Sequence, residues 1–478
     1  MRKDIPLDIV GSTKFGRYPK VSVEQTYNMI ISDEFLVPYA GYKKVSEQSI
    51  IPSAVTGRNV FTSQNYGFML LVSGSTVYTA SNKLSISKVA EIDTSEGDVY
   101  IDENNAGQIA ICDRQSIYIY NPTDGTFAKA ATPGSPHGGL DFIPGYITFQ
   151  NGRFIAASLD KSEWRLSDVG NGLLWPYDSQ HVGAFQTKPD TVMATQRFPG
   201  RGNLLYVFGK TVTELWQDVG FQLFPYQRNS SSNIDYGCLN AATIAHNDRI
   251  IVWLAANEKS GPVIMYSTGG DSQRISTDGI DFKFSQLKSP ANSYGFLFIQ
   301  DGHLIYQITF PSDMLSYIYD FTTQKFFTVT DENMGAHIAK RLAFFNTHYY
   351  FVSFNDGHLY EMSPNHTNYN GKEIPRIRVC NTIRLPDNSR FVANYSTFAI
   401  EQGINSTPDI PQKVFLSISR NGGQTFSSSI ENTLNAEGKY KNKLIFWRLG
   451  SGNELTQQFR FYGLDRFVAS NGIVSIYQ

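Results

Sequence analysis

The sequence predicts an all-β protein: a β-propeller of six or seven blades with an extended N-terminal arm and a C-terminal β-sandwich or jelly-roll domain. Three observations predict it. Of 478 residues, 14% are aromatic, with 27 Tyr and 33 Phe, and only 18% are charged, a balance that favours packed sheet over helical bundles or disorder. Short strand–turn–strand units recur between about residues 67 and 363. Their first strands begin near residues 68, 109, 153, 204, 250, 303 and 348, at steps of roughly 41 to 53 residues against ~40–50 for a four-stranded blade. A sandwich also contains many short strands, but nothing in it calls for a hairpin at that interval.

Residues 1–60 read as the arm, because GSTKFGRYPKVSVEQTYNMIIS mixes Gly, Pro and polar residues around one short apolar run, and Pro38 and Gly41 break the chain soon after it. Residues 61–365 read as the propeller. Its first unit, GFMLLVSGSTVYTAS, turns at Ser73-Gly74. In the second, Gln108 to Cys112 and Ser116 to Tyr120 flank a polar turn, and a third strand comes at Thr126 to Ala128. The third pairs Arg153 to Ala157 with Glu163 to Leu166. The fourth, LLYVFGKTVTELW, is the best-formed hairpin, with a two-residue turn at Gly209-Lys210 in which the glycine can take φ > 0; Thr211 and Trp216 belong to it, and Leu205, Val207 and Trp216 are expected to pack on neighbouring strands. Runs at Arg249 to Leu254 and Val263 to Ser267, three strands between His303 and Thr330, and NTHYYFVSFNDGHLYEMSP complete seven units. Tyr319-Asp320-Phe321 and Tyr120-Asn121-Pro122 share a phrase, each ending a strand and opening a turn. The segment Asp168 to Arg201 is too long for a blade turn; it reads equally as an interface loop or as a loop wrapped on its own blade. Residues 366–478 read as the C-terminal domain, with strands at Ile374 to Arg384, Arg390 to Ile400, Lys443 to Leu449, Gln457 to Tyr462 and Ile473 to Tyr477, a hairpin at Val414 to Phe426, and a loop at Gly403 to Pro411.

The residues offer little chemistry. No P-loop, dinucleotide fingerprint, HExxH, GxSxG or EF-hand loop occurs. Cys112, Cys238 and Cys380 are far apart and read as buried thiols kept in a reducing compartment. The eight histidines are scattered singly, so no catalytic, cofactor-binding or metal-binding residue is assigned. Asp160 and Glu163 read as solvated turn residues, and a carboxylate pair drawn from distant blades stays open. A formal charge of −2 argues against an overall basic surface that would hold nucleic acid. Asp4, Pro6 and Asp8 break any apolar signal segment, and no run approaches the ~18 apolar residues of a membrane span. One local motif is more specific: Ser419, Asn421, Gly423, Thr425 and Phe426 resemble the Asp-box hairpin S-x-D-x-G-x-T-W, in which the Asx side chain and glycines set a turn and the aromatic plugs its base. That motif recurs in sialidase-like propellers, which supplies an alternative reading as a carbohydrate-binding or glycan-degrading propeller; the arginine cluster and tyrosine nucleophile of a sialidase cannot be placed.

Beyond spacing, three stretches carry a resemblance: YNMIISDEFLVPYAGYKKV; NGRFIAASLDKSEWRLSD with the segment that runs on to LLYVFGKTVTELWQ; and FLSISRNGGQTFSSSI with LIFWRLG and FRFYGL. Together they resemble the packaged-DNA stabilisation, or tail hub, proteins of short-tailed bacteriophages. The resemblance implies a structural virion protein without enzymatic activity or cofactor. It implies a homohexameric ring in the virion tail, made in the host cytoplasm, that joins the head-to-tail adaptor to the tail needle, tailspike or tail fibre. DNA would pass through the ring without sequence-specific binding, and the ring would close the channel that retains it.

Overall fold

A computed structural model describes residues 2–16, 23–46, 48–222, 224–401, 411–434 and 443–478. Among the described residues seven antiparallel blades form a closed ring, each of four strands except the fifth, whose innermost position is shared by two short strands. The innermost strands are Gly57–Thr62, Tyr100–Glu103, Pro144–Gln150, Val192–Arg197, Ala245–His246 with Gly237–Cys238, Tyr294–Gln300 and Ala339–Phe345. Each lies beside its neighbours around the axis, and the first and seventh meet to close the circle.

The blade count resolves to seven, and each of the seven unit starts falls at the second strand of its blade, as at Phe68–Ser73, Ile109–Cys112 and Leu204–Gly209. The offset has a physical cause. A second strand is covered on both faces by adjacent blades, so FMLLVS and LLYVFG read as continuous apolar runs. An innermost strand such as GRNVFT turns one face to the axis and mixes polar with apolar residues. It therefore does not stand out from its surroundings in the sequence.

The N-terminal stretch is more structured than an arm with one or two strands. Gly41–Lys44 pairs with Leu359–Ser363 as the outer strand of the seventh blade. Its seating depends on Gly41, whose added Cβ would lie 2.1 Å from the His366 carbonyl oxygen. Next to it Tyr42 stacks on Tyr369 at 4.4 Å and meets Phe351, Tyr360 and His337 edge-on. Met29–Ser32 and Phe35–Pro38 join a sheet with Ala469–Tyr477, Phe391–Ile400 and Lys443–Gly452, and Arg2–Leu7 pairs with Ala469–Tyr477. Gln25–Tyr27 belongs to the facing sheet, beside Arg376–Val379, Glu454–Tyr462, Lys413–Ser419 and Ile430–Thr433.

These two sheets form the sandwich, and both ends of the chain contribute to it. Phe398 and Phe446 from one sheet pack on Phe459 from the other, at 5.2 and 5.9 Å between ring centres. The sandwich is continuous with the propeller: Tyr27 pairs in parallel with Thr328 on the outer strand of the sixth blade. Asn28, buried with φ of 56°, locks that junction. Its amide donates to Thr330 Oγ1 at 2.7 Å and to the Pro375 carbonyl at 2.9 Å, and its Oδ1 accepts the Thr330 N–H at 2.8 Å. Asn tolerates this left-handed conformation better than other side-chain-bearing residues. The expected loop at Gly403 to Pro411 lies, apart from Pro411, outside the described residues.

Candidate functional site: the axial channel and assembly surfaces

The fourth-blade hairpin is structural. Gly209 ends its strand without a positive φ, so the expected turn chemistry does not apply. What requires glycine there is close approach: an added Cβ would sit 2.4 Å from Asp190 Oδ2 and 2.9 Å from the Val212 carbonyl oxygen. The connection spans four residues, with Gly209 N–H donating to Val212 O at 2.8 Å. Thr211 donates to Asp190 Oδ2 through its N–H at 2.8 Å and its hydroxyl at 3.0 Å. Asp190 lies 21 residues upstream of Thr211, beyond the reach of local turn reasoning. Trp216 is buried, donates through Nε1 to Glu214 Oε2 at 3.0 Å, and meets Trp164 of the third blade edge-on at 5.5 Å. Leu205 and Val207 are fully buried beside it.

The Asp-box-like residues form a turn in the sandwich, outside the ring. Ser419 Oγ accepts the Gly423 N–H at 2.9 Å, Asn421 Oδ1 accepts the Thr425 N–H at 3.0 Å, and Asn421 Nδ2 donates to Thr425 Oγ1 at 2.9 Å. Gly423 takes φ of 85°, and Phe426 is half-buried. The segment 168–201 stays with its own blades. Trp175 is fully buried against Phe142, Val182–Ala184 is the outer strand of the third blade, and Tyr177 stays exposed over the Arg165 guanidinium at 4.3 Å.

Titratable groups are tied into structural pairs. His303 bonds Asp320 at 2.9 Å, His181 bonds Asp178 at 2.7 Å, and His366 bonds Glu361 at 3.1 Å. The shared turn phrase is visible in the same terms, since Asp320 accepts the Thr322 N–H and Asn121 accepts the Thr123 N–H. Glu163 is no solvated turn residue: it pairs at 3.0 Å with Arg165, which is buried. The three cysteines are buried, and burial pushes their thiols up to about 12. Among the described residues no group of three or more His, Cys, Asp or Glu is placed to hold a metal, and no helix is long and apolar enough to cross a membrane.

Sequence reasoning did not find the axial cavity. It has a volume of about 200 Å³ and is lined by Asn59, Tyr100, Tyr146, His246, Phe296 and Arg341 among others. The inner strands that carry these residues lie outside the strand–turn–strand units legible in the sequence. Asp102 sits just behind the wall, accepting the Phe149 N–H at 2.6 Å and the Thr148 hydroxyl at 3.1 Å. Burial raises its carboxyl above the ordinary range, with Arg197 pulling the other way. The surrounding walls and then Arg197 lower the His246 imidazole's affinity for a proton, although the residue itself is exposed to the channel. On the outside, Trp447 is 55% exposed, packs against Tyr395 at 4.9 Å and shares its sheet with exposed Val392 and Tyr477. Phe344 and Ile299, each more than half exposed, flank Tyr349 at one end of the inner strands. Exposed apolar clusters of this kind are candidate contact surfaces.

A closed seven-bladed ring carrying exposed aromatic patches defines a β-propeller protein. The family model described as the phage-stabilising bacteriophage P22 Gp10 β-propeller matches residues 15–366. The chain belongs to this family of phage tail proteins concerned with DNA stabilisation. No curated protein matches significantly. Among solved structures it is similar to a streptogramin B lyase, with a TM-score of 0.45 and 13% identity over 68% of this chain and 97% of that one. A catalytically inactive virginiamycin B lyase from Staphylococcus aureus with quinupristin gives a TM-score of 0.45 and 10% identity over 68% and 98%. The N-terminal domain of Nup159 gives a TM-score of 0.42 and 11% identity over 71% and 98%.

Proposed function

We propose that this protein is a non-enzymatic tail hub of the virion. Six copies form a ring that joins the head-to-tail adaptor to the needle, spike or fibre below and closes the DNA channel so that packaged genome is retained. The match to the phage-stabilisation family over residues 15–366 carries the reading.

Two physical points support it. The axial cavity of one propeller, about 200 Å³, is far too small for a duplex whose major groove alone is about 12 Å wide. This supports a path for DNA between copies arranged in a ring rather than through one propeller. The near-neutral chain, with formal charge −2, leaves no excess of cations to hold phosphates and slow ejection. Electron microscopy of the purified protein, alone and mixed with its adaptor complex, should show six-fold rings around an open centre. Particles assembled without it should lose their DNA to added nuclease. A monomer that stays monomeric beside the adaptor complex, with DNA equally protected in its absence, would overturn the proposal.

A further inference from the structure

The walls of the axial cavity are unevenly satisfied. Arg341, on the innermost strand of the seventh blade, reaches past the first blade: its guanidinium lies 5.8 Å from the ring centre of Tyr100 on the second blade. One Nη1–H donates to the Gly295 carbonyl at 3.1 Å, yet Arg341 has no carboxylate partner within ion-pairing distance among the described residues. Tyr100 is 3% exposed and lines the cavity, and its hydroxyl has no hydrogen-bond partner among the described residues. His246 enters from the fifth blade. The other polar groups nearby are already committed. Asn59 Nδ2 donates to the Val99 carbonyl at 2.6 Å, and the Tyr146 hydroxyl donates to Gln196 Oε1 at 2.7 Å. Asp102 takes two N–H groups and a hydroxyl beside Arg197.

A half-buried guanidinium without a counter-charge and a buried hydroxyl without a partner are both costly. Both costs fall if an acceptor-rich anion occupies the space between them. Each water needs roughly 10–15 Å³ of such volume, so about 200 Å³ has room for a tetrahedral or planar oxyanion together with on the order of ten waters. It is smaller than the ~300–1,000 Å³ of pockets that enclose nucleotide- or drug-sized ligands.

We propose that the axial cavity binds one small oxyanion, of phosphate or carboxylate chemistry, clamped by the Arg341 guanidinium, the Tyr100 hydroxyl and the His246 imidazole. A single ion then ties the seventh, second and fifth blades across the axis. The test uses the full chain at pH 7, with inorganic phosphate and acetate as probes. Titration calorimetry should give one site per chain, and the unfolding temperature should rise saturably with the bound probe at constant ionic strength; the tighter of the two probes identifies the ligand chemistry. Arg341→Met, which keeps the apolar stem, should weaken binding at least tenfold and remove the saturable rise. Tyr100→Phe, which removes only the hydroxyl, should weaken it by about three- to tenfold while the variant still folds. Absence of a saturable site for either probe would overturn the proposal. So would a stabilisation that grows linearly with salt and persists in Arg341→Met, since that marks surface exclusion of the salt rather than binding.

Discussion

Trp216 and His337 show what single side chains contribute. Trp216 fills the gap between the third and fourth blades, edge-on to Trp164 and bonded to buried Glu214. Trp216→Ala should lower stability by roughly 3–5 kcal/mol, read as a fall in the denaturant midpoint with an unchanged slope; unchanged stability would contradict this packing. His337 is fully buried among Tyr39, Tyr42, Tyr369 and Phe351. Its Nδ1 accepts from Gln307 Nε2 at 3.2 Å and from Ala339 N–H at 3.4 Å, so its hydrogen sits on Nε2. Burial pushes the imidazole down to about 3 from an ordinary 6.5. Between these values the unfolded chain binds a proton that the folded chain does not. Stability therefore rises with pH across this window and is lost on acidification, by on the order of 5 kcal/mol in total. His337→Phe should flatten that acid limb in stability measured from pH 7 to pH 4; an unchanged limb would show that His337 titrates normally. The hairpin of Trp216 was legible in the sequence because strand pairing is local. Asp190, which holds its turn, and the Gln186 and Thr187 N–H groups that Glu214 accepts were not, because these partners are fixed by the fold.

At the scale of elements, the repeat was readable from the strands buried on both faces, whose apolar runs recur once per blade. The inner strands escaped notice because half their side chains face the axis. The closing strand escaped because Gly41–Lys44, GYKK, is short and half polar, and nothing local distinguishes it from a loop. Its partner is Leu359–Ser363, more than three hundred residues away in the chain. Closure depends on Gly41 approaching the His366 carbonyl. Gly41→Val should therefore unseat the strand and cost more than about 3 kcal/mol, at the severe end of single substitutions, with proteolytic cleavage appearing near residue 45. An intact, equally stable variant would mean that the ring closes without this strand. The candidate site divides the same way. The Asp-box-like turn could be read from a handful of adjacent residues, whereas the axial cavity is assembled from several blades and has no contiguous signature.

For the whole molecule, the fold couples both ends of the chain to a single closure. Gly41–Lys44 completes the ring only with a strand made roughly 320 residues later, which at about 5–20 residues per second of synthesis is a wait of roughly 16 s to a minute. The sandwich waits longer, since Arg2–Leu7 pairs with Ala469–Tyr477 at the other end of the sequence. During that interval an arc of blades grows with both flanks uncovered, its apolar edges available to other nascent chains or to chaperones. A chain that stops short of residue 363 lacks the strand on which Gly41–Lys44 pairs, so its last blade has no seam and the propeller stays open.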